Sequence, residues 1–476
     1  MPQHPMHQIR RTTRLSAGAL AFTLVASLGL AGCGKSGGDE GGKADTSGVA
    51  MGTGVTKEEI ALGVLTDNSG PYKALGLGVV QGHQIWVDEV NDAGGVCGRK
   101  IRLEIRDHGY KADTAKIQFP EVEPKVLGFM QLLGSPVNAA LKQDMIEKKT
   151  TAVALSWSSE ILDNPYVIIP GTTYDIEMIN GLSYLMEKDL LNDGDTIGHI
   201  YIKGEYGENG VRGAEYFAKK HNLKIKKVAV QATDTDMASI VTGFKGDKVK
   251  AIALTTSPAQ TASAAATNAA LKLDVPLVGN NPVFSPQLLD SPAADALAKL
   301  YVVASAVPFA SDVPKAMAVA EAYKKRFQDL PNAGVPYGYA IGMIWGQILE
   351  EACANEDLTR DGVTQAFSEL TDVSTDALVA DLDFSSPGTP ATREVYVAVP
   401  DKAVEGGLRQ VKSLFASDEA RSYVAPHQKG AAASEVPEYE EQTGSPSPSG
   451  DPSASPGPSD GSGADEASAS PSPTKS

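Results

Sequence analysis

The sequence predicts an α/β fold with parallel β-sheets, because apolar runs typical of strands alternate with helical patterns along most of the chain. A strand-like run at residues 60–65 is followed by apolar positions at helical spacing between Val79 and Val90. Gly94 and Gly95 then stand where the end of a helix favours glycine. Strands that are joined by such helices pair in parallel through right-handed crossovers.

The alternation continues through two series of elements, separated by a break near residues 171–175. In the first series, strands are predicted at 101–105 and 126–133, and Ser135 and Pro136 are predicted as the N-cap and first residue of a helix. The second series comprises strands at 197–202, 225–230, 251–254 and 276–279 and helices at 208–221, from Met237, and at 259–271. A chain of 476 residues with 42% hydrophobic content is sufficient to bury this many strands.

The beginning of the chain has the layout of an export signal. A basic segment with three arginines between positions 10 and 14 precedes a short apolar stretch at residues 15–30. The following Leu30-Ala31-Gly32-Cys33 resembles the lipobox of bacterial lipoproteins, although a chance cysteine after a secretory signal is the alternative. We therefore expect a signal peptide over residues 1–32 and a mature chain that is lipid-anchored through Cys33 on the extracytoplasmic face of the cell membrane.

Composition sets two further segments apart from the folded part. Residues 33–55 are poor in large apolar side chains and are predicted to be a flexible spacer. Residues 426–476 are dominated by Ser, Pro, Gly, Ala and acidic residues, and they are predicted to be disordered because they have almost nothing to bury. A cell-wall spacer or a glycosylated stalk remains an alternative for this tail.

Charge and cysteine content exclude several functions. A net charge of −17 repels phosphate backbones, so a nucleic-acid partner is not expected. Once Cys33 is assigned to the anchor, Cys97 and Cys353 are the remaining pair, and an oxidising compartment favours a single disulfide between them. These two cysteines and the scattered histidines lack the spacing of metal ligands, so we expect neither a metal nor a cofactor.

Small polar side chains follow the predicted strands, at the edge where open parallel sheets bind ligands. These hydroxyls and amides belong to Ser135, Ser156, Ser158, Thr255, Thr256, Ser257, Asn280 and Asn281. Such groups form neutral hydrogen bonds and offer little acid–base chemistry, so the sequence predicts binding rather than catalysis. A hydrolase hypothesis rests on Ser156 alone, and the sequence around Ser156 lacks both glycines of a nucleophile elbow.

Residues 60–105 carry a family resemblance. The segment IALGVLTDNSGPYKALGLGVVQGHQIWVDEVNDAGGVCGRKIRLEI resembles the start of type I periplasmic binding proteins, above all the branched-chain amino-acid-binding proteins of ABC importers. The resemblance implies two Rossmann-like lobes joined by a hinge of three segments, with a ligand in the cleft between them. The implied divisions are 56–173 and 305–385 for the first lobe, and 174–304 and 386–425 for the second.

The resemblance also implies roles for particular residues. Ser135, Ser156 and Ser158 fall where the family's hydroxyls hold the ligand carboxylate, and a helix that begins near Ser135 attracts an anion. Tyr206 falls where the second lobe supplies an aromatic wall, and Tyr72 lies near the rim of the first lobe. Each serine has a simpler alternative role as a local helix cap.

Two departures from the family pattern concern the ligand. Asn281 stands where amino-acid binders place a carboxylate for the ammonium group, and Ser257 replaces a tyrosine. We therefore expect a branched-chain amino acid or a related small amide or carboxylate, delivered by a monomeric protein to an ABC permease. A sensing module of the same fold that signals to a membrane partner is the alternative.

Overall fold

Two β-sheets flanked by helices organise residues 48–425, which are the residues that the computed structural model describes. The predicted signal peptide, Cys33 and the predicted tail at 426–476 lie outside this range. The strands are Ala50–Met51 (β1), Glu59–Thr66 (β2), Lys100–Asp107 (β3), Gly128–Leu133 (β4), Ala152–Leu155 (β5), Val167–Ile168 (β6), Thr196–Ile202 (β7), Lys224–Val230 (β8), Ala251–Thr255 (β9), Leu277–Asn280 (β10), Leu300–Ala304 (β11), Asp357–Leu358 (β12), Val395–Pro400 (β13) and Leu408–Phe415 (β14).

Eleven α-helices and four short 3-10 helices connect these strands within the described residues. The α-helices are Lys73–Asp92 (α1), Ala112–Val122 (α2), Ser135–Glu147 (α3), Tyr174–Glu187 (α4), Glu205–Lys220 (α5), Ala238–Asp247 (α6), Pro258–Ala270 (α7), Pro314–Arg326 (α8), Gly334–Ala354 (α9), Arg360–Glu369 (α10) and Asp418–Ser422 (α11). The 3-10 helices are Glu123–Lys125, Ser159–Ile161, Pro286–Asp290 and Asp295–Lys299.

The first sheet has the strand order β3-β2-β4-β5-β6, and all of its neighbouring strands are parallel. Every residue of β4 and β5 is buried, since helices cover both faces of the sheet. This burial explains why these strands are continuous apolar runs in the sequence. The carboxyl ends of β4 and β5 therefore present the residues that follow them, Gly134 and Ser156, at one edge of the sheet.

The second sheet has the order β14-β13-β11-β10-β9-β7-β8 and contains an exception to the predicted parallel pairing. Strand β13 is antiparallel to both β11 and β14. The connection from β13 to β14 is short and includes Gly406 and Gly407 at φ values of 80° and 74°. Only antiparallel neighbours can be joined by so tight a turn, so this pair adds a hairpin to an otherwise parallel sheet.

The chain passes between the two lobes three times. It enters the second sheet's lobe with α4, returns to the first with α8, and joins the second sheet again at β13. Two of these crossings contact one another, because Ser305 Oγ accepts a hydrogen bond of 3.0 Å from the backbone N–H of Thr172. The α/β fold with two lobes and a hinge of three segments, predicted from the sequence, is thereby confirmed.

The predicted spacer ends earlier than residue 55. Strand β1 pairs in parallel with β12, and the N–H of Ala50 donates to the carbonyl of Glu356 over 2.9 Å. Val49 is also buried. The prediction was wrong for these residues because backbone pairing holds them, and pairing of this kind leaves no trace in composition.

A disulfide joins Cys97 and Cys353, the two cysteines that the sequence predicted to pair. Their Cα atoms lie 6.5 Å apart, and 256 positions separate them along the chain. Cys97 follows α1 and Cys353 lies in the last turn of α9, so the disulfide links the ends of two helices of the first lobe. A loop of this length, when closed by a covalent bond, restricts the unfolded chain strongly.

Close packing of α1 against α9 depends on glycine. A Cβ atom at Gly338 would lie 2.0 Å from the carbonyl oxygen of Val79, which is backbone and cannot rotate away. We therefore expect Gly338→Ala to lower the free energy of unfolding by about 3 kcal/mol through overpacking. Urea denaturation followed by circular dichroism measures this change.

The matched control is Gly243→Ala in helix α6, where a Cβ atom meets nothing within 4 Å. Alanine should stabilise that exposed helix by about 0.5–1 kcal/mol. Equal effects of the two substitutions would show that the contact between α1 and α9 is not tight.

Candidate ligand-binding site

A small cavity lies between the two lobes, at the first turn of α3. Its volume is about 10 Å³, roughly the space of one water molecule. The lining residues are Tyr72, Leu75, Tyr110, Leu133, Gly134, Ser135, Leu155, Trp157, Tyr174, Tyr206 and Pro282. Three of the predicted site residues, Tyr72, Ser135 and Tyr206, are thus brought together from distant parts of the chain. A ligand larger than water requires the lobes to move apart about the hinge.

The start of α3 differs by one residue from the prediction. Gly134 has a φ of 107°, a conformation that favours glycine, and it turns the chain directly from β4 into the helix. Ser135 is consequently the first helical residue rather than the cap, and Pro136 is the second. The positive end of the helix dipole still points at the cavity, so this wall favours a carboxylate.

Two serine hydroxyls form a pair at this wall. Ser156 Oγ donates a hydrogen bond of 2.9 Å to Ser135 Oγ, and both side chains are buried. A hydroxyl that accepts one bond keeps its own proton for another acceptor. Ser135 can therefore donate to a ligand oxygen, while Ser156 orients Ser135 from behind and does not itself line the cavity.

Aromatic rings form the other walls. Tyr72 and Tyr110 of the first lobe have ring centroids 4.6 Å apart, and Tyr174 and Tyr206 of the second lobe have centroids 4.7 Å apart. Burial raises the pKa of all four phenols, so each hydroxyl keeps its proton. The hydroxyl of Tyr72 is buried with only the hydroxyl of Tyr110 as a neighbouring partner, so it can still bond to a polar ligand atom.

Two predicted site residues act elsewhere. Ser158 Oγ accepts from the N–H of Glu160 over 3.3 Å and caps the 3-10 helix Ser159–Ile161. Ser257 caps α7, where its Oγ accepts from the N–H of Gln260 and its own N–H donates to that side chain. Both hydroxyls satisfy backbone donors that a helix start leaves unpaired, so the structure brings neither of them to the cavity.

A second cavity adjoins the first and contains Asn281. Its volume is about 50 Å³, and Leu75 and Pro282 line both cavities. The lining residues are Ala74, Leu75, Asn281, Pro282, Phe284, Ser285, Pro286, Val302, Ala304, Ala306, Pro308, Asn332, Ala333, Gly334, Tyr396, Ala398, Gly406 and Leu408. Most of these side chains are apolar, so the second cavity suits a hydrocarbon group.

Charged side chains line neither cavity in the part of the chain that the structure describes. Two buried carboxyl groups lie just behind the walls: Asp67 Oδ2 accepts a hydrogen bond of 2.9 Å from the N–H of Tyr72, and Glu177 Oε2 accepts one of 3.1 Å from the N–H of Asn281. Burial raises the pKa of Glu177 well above its usual value, so its neutral form is favoured. Asn281 itself offers an amide and no charge to a ligand ammonium group.

The sequence missed several lining residues. Tyr110 follows the carboxyl end of β3, so the rule that selected the serines should have selected it as well. Tyr174 begins α4 directly after the first crossing between lobes, where no strand pattern draws attention to it. Trp157 was not missed: its position between Ser156 and Ser158 in the sequence indicated either a pocket wall or lobe packing. It belongs to the wall, and its Nε1 donates a bond of 2.8 Å to the hydroxyl of Tyr337.

Polar contacts hold the lobes together beside the first cavity. Arg212 on α5 forms an ion pair of 2.7 Å with Glu160, which follows β5 in the first lobe. Ser159, the neighbour of Glu160, donates a hydrogen bond of 2.7 Å to the buried Asp175 of the second lobe. The relative position of the lobes is thus fixed by specific contacts and not only by shape.

Glu205 makes this lobe contact sensitive to pH. The pKa of Glu205 is raised from 4.5 to about 7. Burial is the largest cause, the negative charges of Glu160 and Glu208 add to it, and the positive charge of Lys142 opposes it. The folded protein therefore holds this proton more tightly than the unfolded chain does. As a result, the free energy of unfolding falls as the pH rises from 4.5 to about 7. We expect Glu205→Gln to raise the free energy of unfolding at pH 8 by on the order of 1 kcal/mol, since partial exposure weakens the effect.

At pH 4.5 the same substitution should change the free energy of unfolding little, because the glutamate is already protonated there. Urea titrations of wild type and variant at both pH values make the comparison. If the free energies of unfolding of wild type and variant differed by the same amount at both pH values, the raised pKa of Glu205 would be contradicted.

Two α/β lobes that enclose a cleft and are crossed three times by the chain define a solute-binding protein that closes by a hinge. The chain belongs to the periplasmic binding protein family, whose profile matches residues 59–405. It is an extracytoplasmic family of binding proteins that serve ABC transporters. A search of curated proteins finds none that matches the chain.

Several solved structures are similar to this one. A fatty acid ABC transporter substrate-binding protein from Thermomonospora curvata is 38% identical, covers 80% of this chain and 98% of its own, and has a TM-score of 0.78. A branched chain amino acid ABC transporter protein from Thermus thermophilus with bound valine is 19% identical over 77% and 99% of the two chains, with a TM-score of 0.67. A leucine-binding protein from Thermotoga maritima is 16% identical over 76% and 99%, with a TM-score of 0.64.

These relatives are substrate-binding proteins and not enzymes, and the last two establish the fold alone. Among residues 48–425, no helix is both long and apolar enough to cross a membrane.

Proposed function

We propose that this protein is a substrate-binding lipoprotein of an ABC importer, and that its ligand is a fatty acid. The ligand carboxylate binds at the start of α3, and the apolar part of the ligand extends toward the second cavity. The protein is anchored outside the cytoplasm through Cys33 and delivers the fatty acid to a permease. The observation that carries this assignment is the junction of a helix start, whose dipole favours a carboxylate, with an apolar cavity that no charged side chain lines among residues 48–425.

A fatty acid suits this chemistry better than a branched-chain amino acid. Both ligands have a carboxylate, and the wall at Ser135 would accept either. An amino acid also has an ammonium group, and burying that charge without a partner costs several kcal/mol. The amide of Asn281 supplies no charge, and burial disfavours the ionised form of Glu177 by raising its pKa.

Similarity supports the same choice. The 38% identical protein from Thermomonospora curvata is described as a fatty acid binder, whereas the structures described as amino-acid binders are at most 19% identical in the comparisons above. The resemblance that favours branched-chain amino acids rests on the opening of the first lobe. That region supplies the shared scaffold, while the second lobe contributes the residues that would contact an ammonium group.

Isothermal titration of the mature chain, unfolded and refolded to remove copurifying ligand, tests the assignment. We expect hexadecanoate to bind at least about tenfold more tightly than leucine or valine, since only the amino acids bury an unpaired charge. Hexadecanol is the matched control ligand, because it has the tail without the carboxylate and should bind more weakly than the acid. Tighter binding of leucine than of hexadecanoate would overturn the assignment.

A further inference from the structure

The second cavity lies over one face of the second sheet. Val302 and Ala304 alternate along β11 and therefore point to the same face. Their partners across the antiparallel pair are Ala398 and Tyr396 of β13, and both of these also line the cavity. The floor of the cavity is thus a patch of two neighbouring strands, and it contains two alanines.

The cavity extends across the second sheet, away from the first cavity. Pro282, which lines both cavities, follows β10, and β11, β13 and β14 succeed β10 in that order. Neighbouring strands lie about 4.8 Å apart, so the floor leads away from the first cavity in steps of that length. Ala304 lies one strand from β10, and Ala398 lies two strands from it.

The first lobe provides the roof. Ala74 and Leu75 of α1 face the floor together with the start of α9 at residues 332–334. Asn332 fixes the two helices to each other, because its Nδ2 donates a hydrogen bond of 2.8 Å to the carbonyl of Ala74. Tyr396 is also held, since its hydroxyl donates to the carbonyl of Ala377 over 2.7 Å. These bonds order the side chains of the roof and of the floor.

We propose that this cavity is the binding site for the acyl chain of the fatty acid, and that Ala304 and Ala398 determine the chain lengths that the protein accepts. The inference rests on the proposed function and extends it to particular specificity-determining residues. The chain passes between Leu75 and Pro282, crosses Ala304 and then reaches Ala398. Each alanine leaves room that a larger side chain would fill.

Two substitutions should truncate the site at different depths. Ala304→Leu blocks the floor near the first cavity, and Ala398→Leu blocks it one strand further along. We measure the affinities of wild type and both variants for the saturated acids from butanoate to hexadecanoate. The expected result is a graded cut-off, in which Ala398→Leu loses at least about tenfold only for the longer acids and Ala304→Leu loses affinity at a shorter length.

Ala266→Leu on the exposed face of α7 is the control, and all three variants should melt within a few degrees of wild type. Losses that are equal for every chain length, or a cut-off in the reverse order, would overturn the inference. Wild-type affinities that do not rise with chain length would overturn it as well. Failure of the wild type to bind any acid of the series would instead contradict the proposed function.

Discussion

Ser135→Asp is expected to weaken fatty acid binding by on the order of a hundredfold or more. The new carboxylate would occupy the position of the hydroxyl that we assign to the ligand, at the positive end of α3. Two like charges about 4 Å apart repel by several kcal/mol at the effective dielectric constant of a protein site, and about 1.4 kcal/mol corresponds to a factor of ten. Calorimetric titration with hexadecanoate measures the loss.

Two controls separate this repulsion from damage to the fold. Ser135→Ala removes the hydroxyl without adding charge and should cost only about tenfold, in line with a single hydrogen bond to a charged group. Hexadecanol should lose far less affinity for the aspartate variant than the acid does, because it carries no charge. Equal losses for the acid and the alcohol would show that Ser135 does not contact the carboxylate.

Asp175→Ala should have the largest effect on stability. The side chain is fully buried where the chain enters the second lobe, and its carboxyl group accepts bonds from Ser159 Oγ at 2.7 Å and Tyr423 Oη at 2.9 Å, and from Thr173 Oγ1. Truncation leaves these donors buried without their acceptor. We expect the free energy of unfolding to fall by about 3–5 kcal/mol, as when one partner of a buried polar network is removed.

Urea denaturation measures this loss, and Asp312→Ala on the exposed surface is the matched control, expected to change stability by less than about 0.5 kcal/mol. Asp175→Asn should give an intermediate loss, because the amide keeps one acceptor oxygen. If Asp175→Ala lowered the free energy of unfolding no more than Asp312→Ala does, the role of the Asp175 carboxyl group in joining the lobes would be contradicted.

The order of strands and helices could be predicted from the sequence because fully buried strands are apolar runs and a half-buried strand such as β3 alternates apolar with charged residues. The predicted runs at 101–105 and 197–202 correspond to β3 and β7 within a residue or two at each end. The antiparallel pair β13 and β14 was not predicted. Strand β13 is apolar and mostly buried, but β14 is only partly apolar and mostly half-exposed, so its pattern does not stand out as a strand. The short strand β1 depends on a partner that lies 307 positions away, Ala50 pairing with Asp357.

The binding site was predictable only in part. The sequence shows which residues follow a strand, but it does not show where their side chains point. Ser135 and Ser257 both follow buried strands, yet one lines a cavity and the other caps a helix. Which role a serine adopts depends on the turn before it, and Gly134 makes the difference at Ser135. The apolar cavity could not be predicted at all, since β11 and β13 are nearly 100 residues apart in the chain.

The crystal structure of the mature protein with hexadecanoate tests the central claim most directly. The predicted result has the carboxylate within hydrogen-bond distance of Ser135 and the acyl chain running between Leu75 and Pro282 toward Ala398. A carboxylate bound away from the start of α3, or an acyl chain outside the cavity over β11 and β13, would contradict the account.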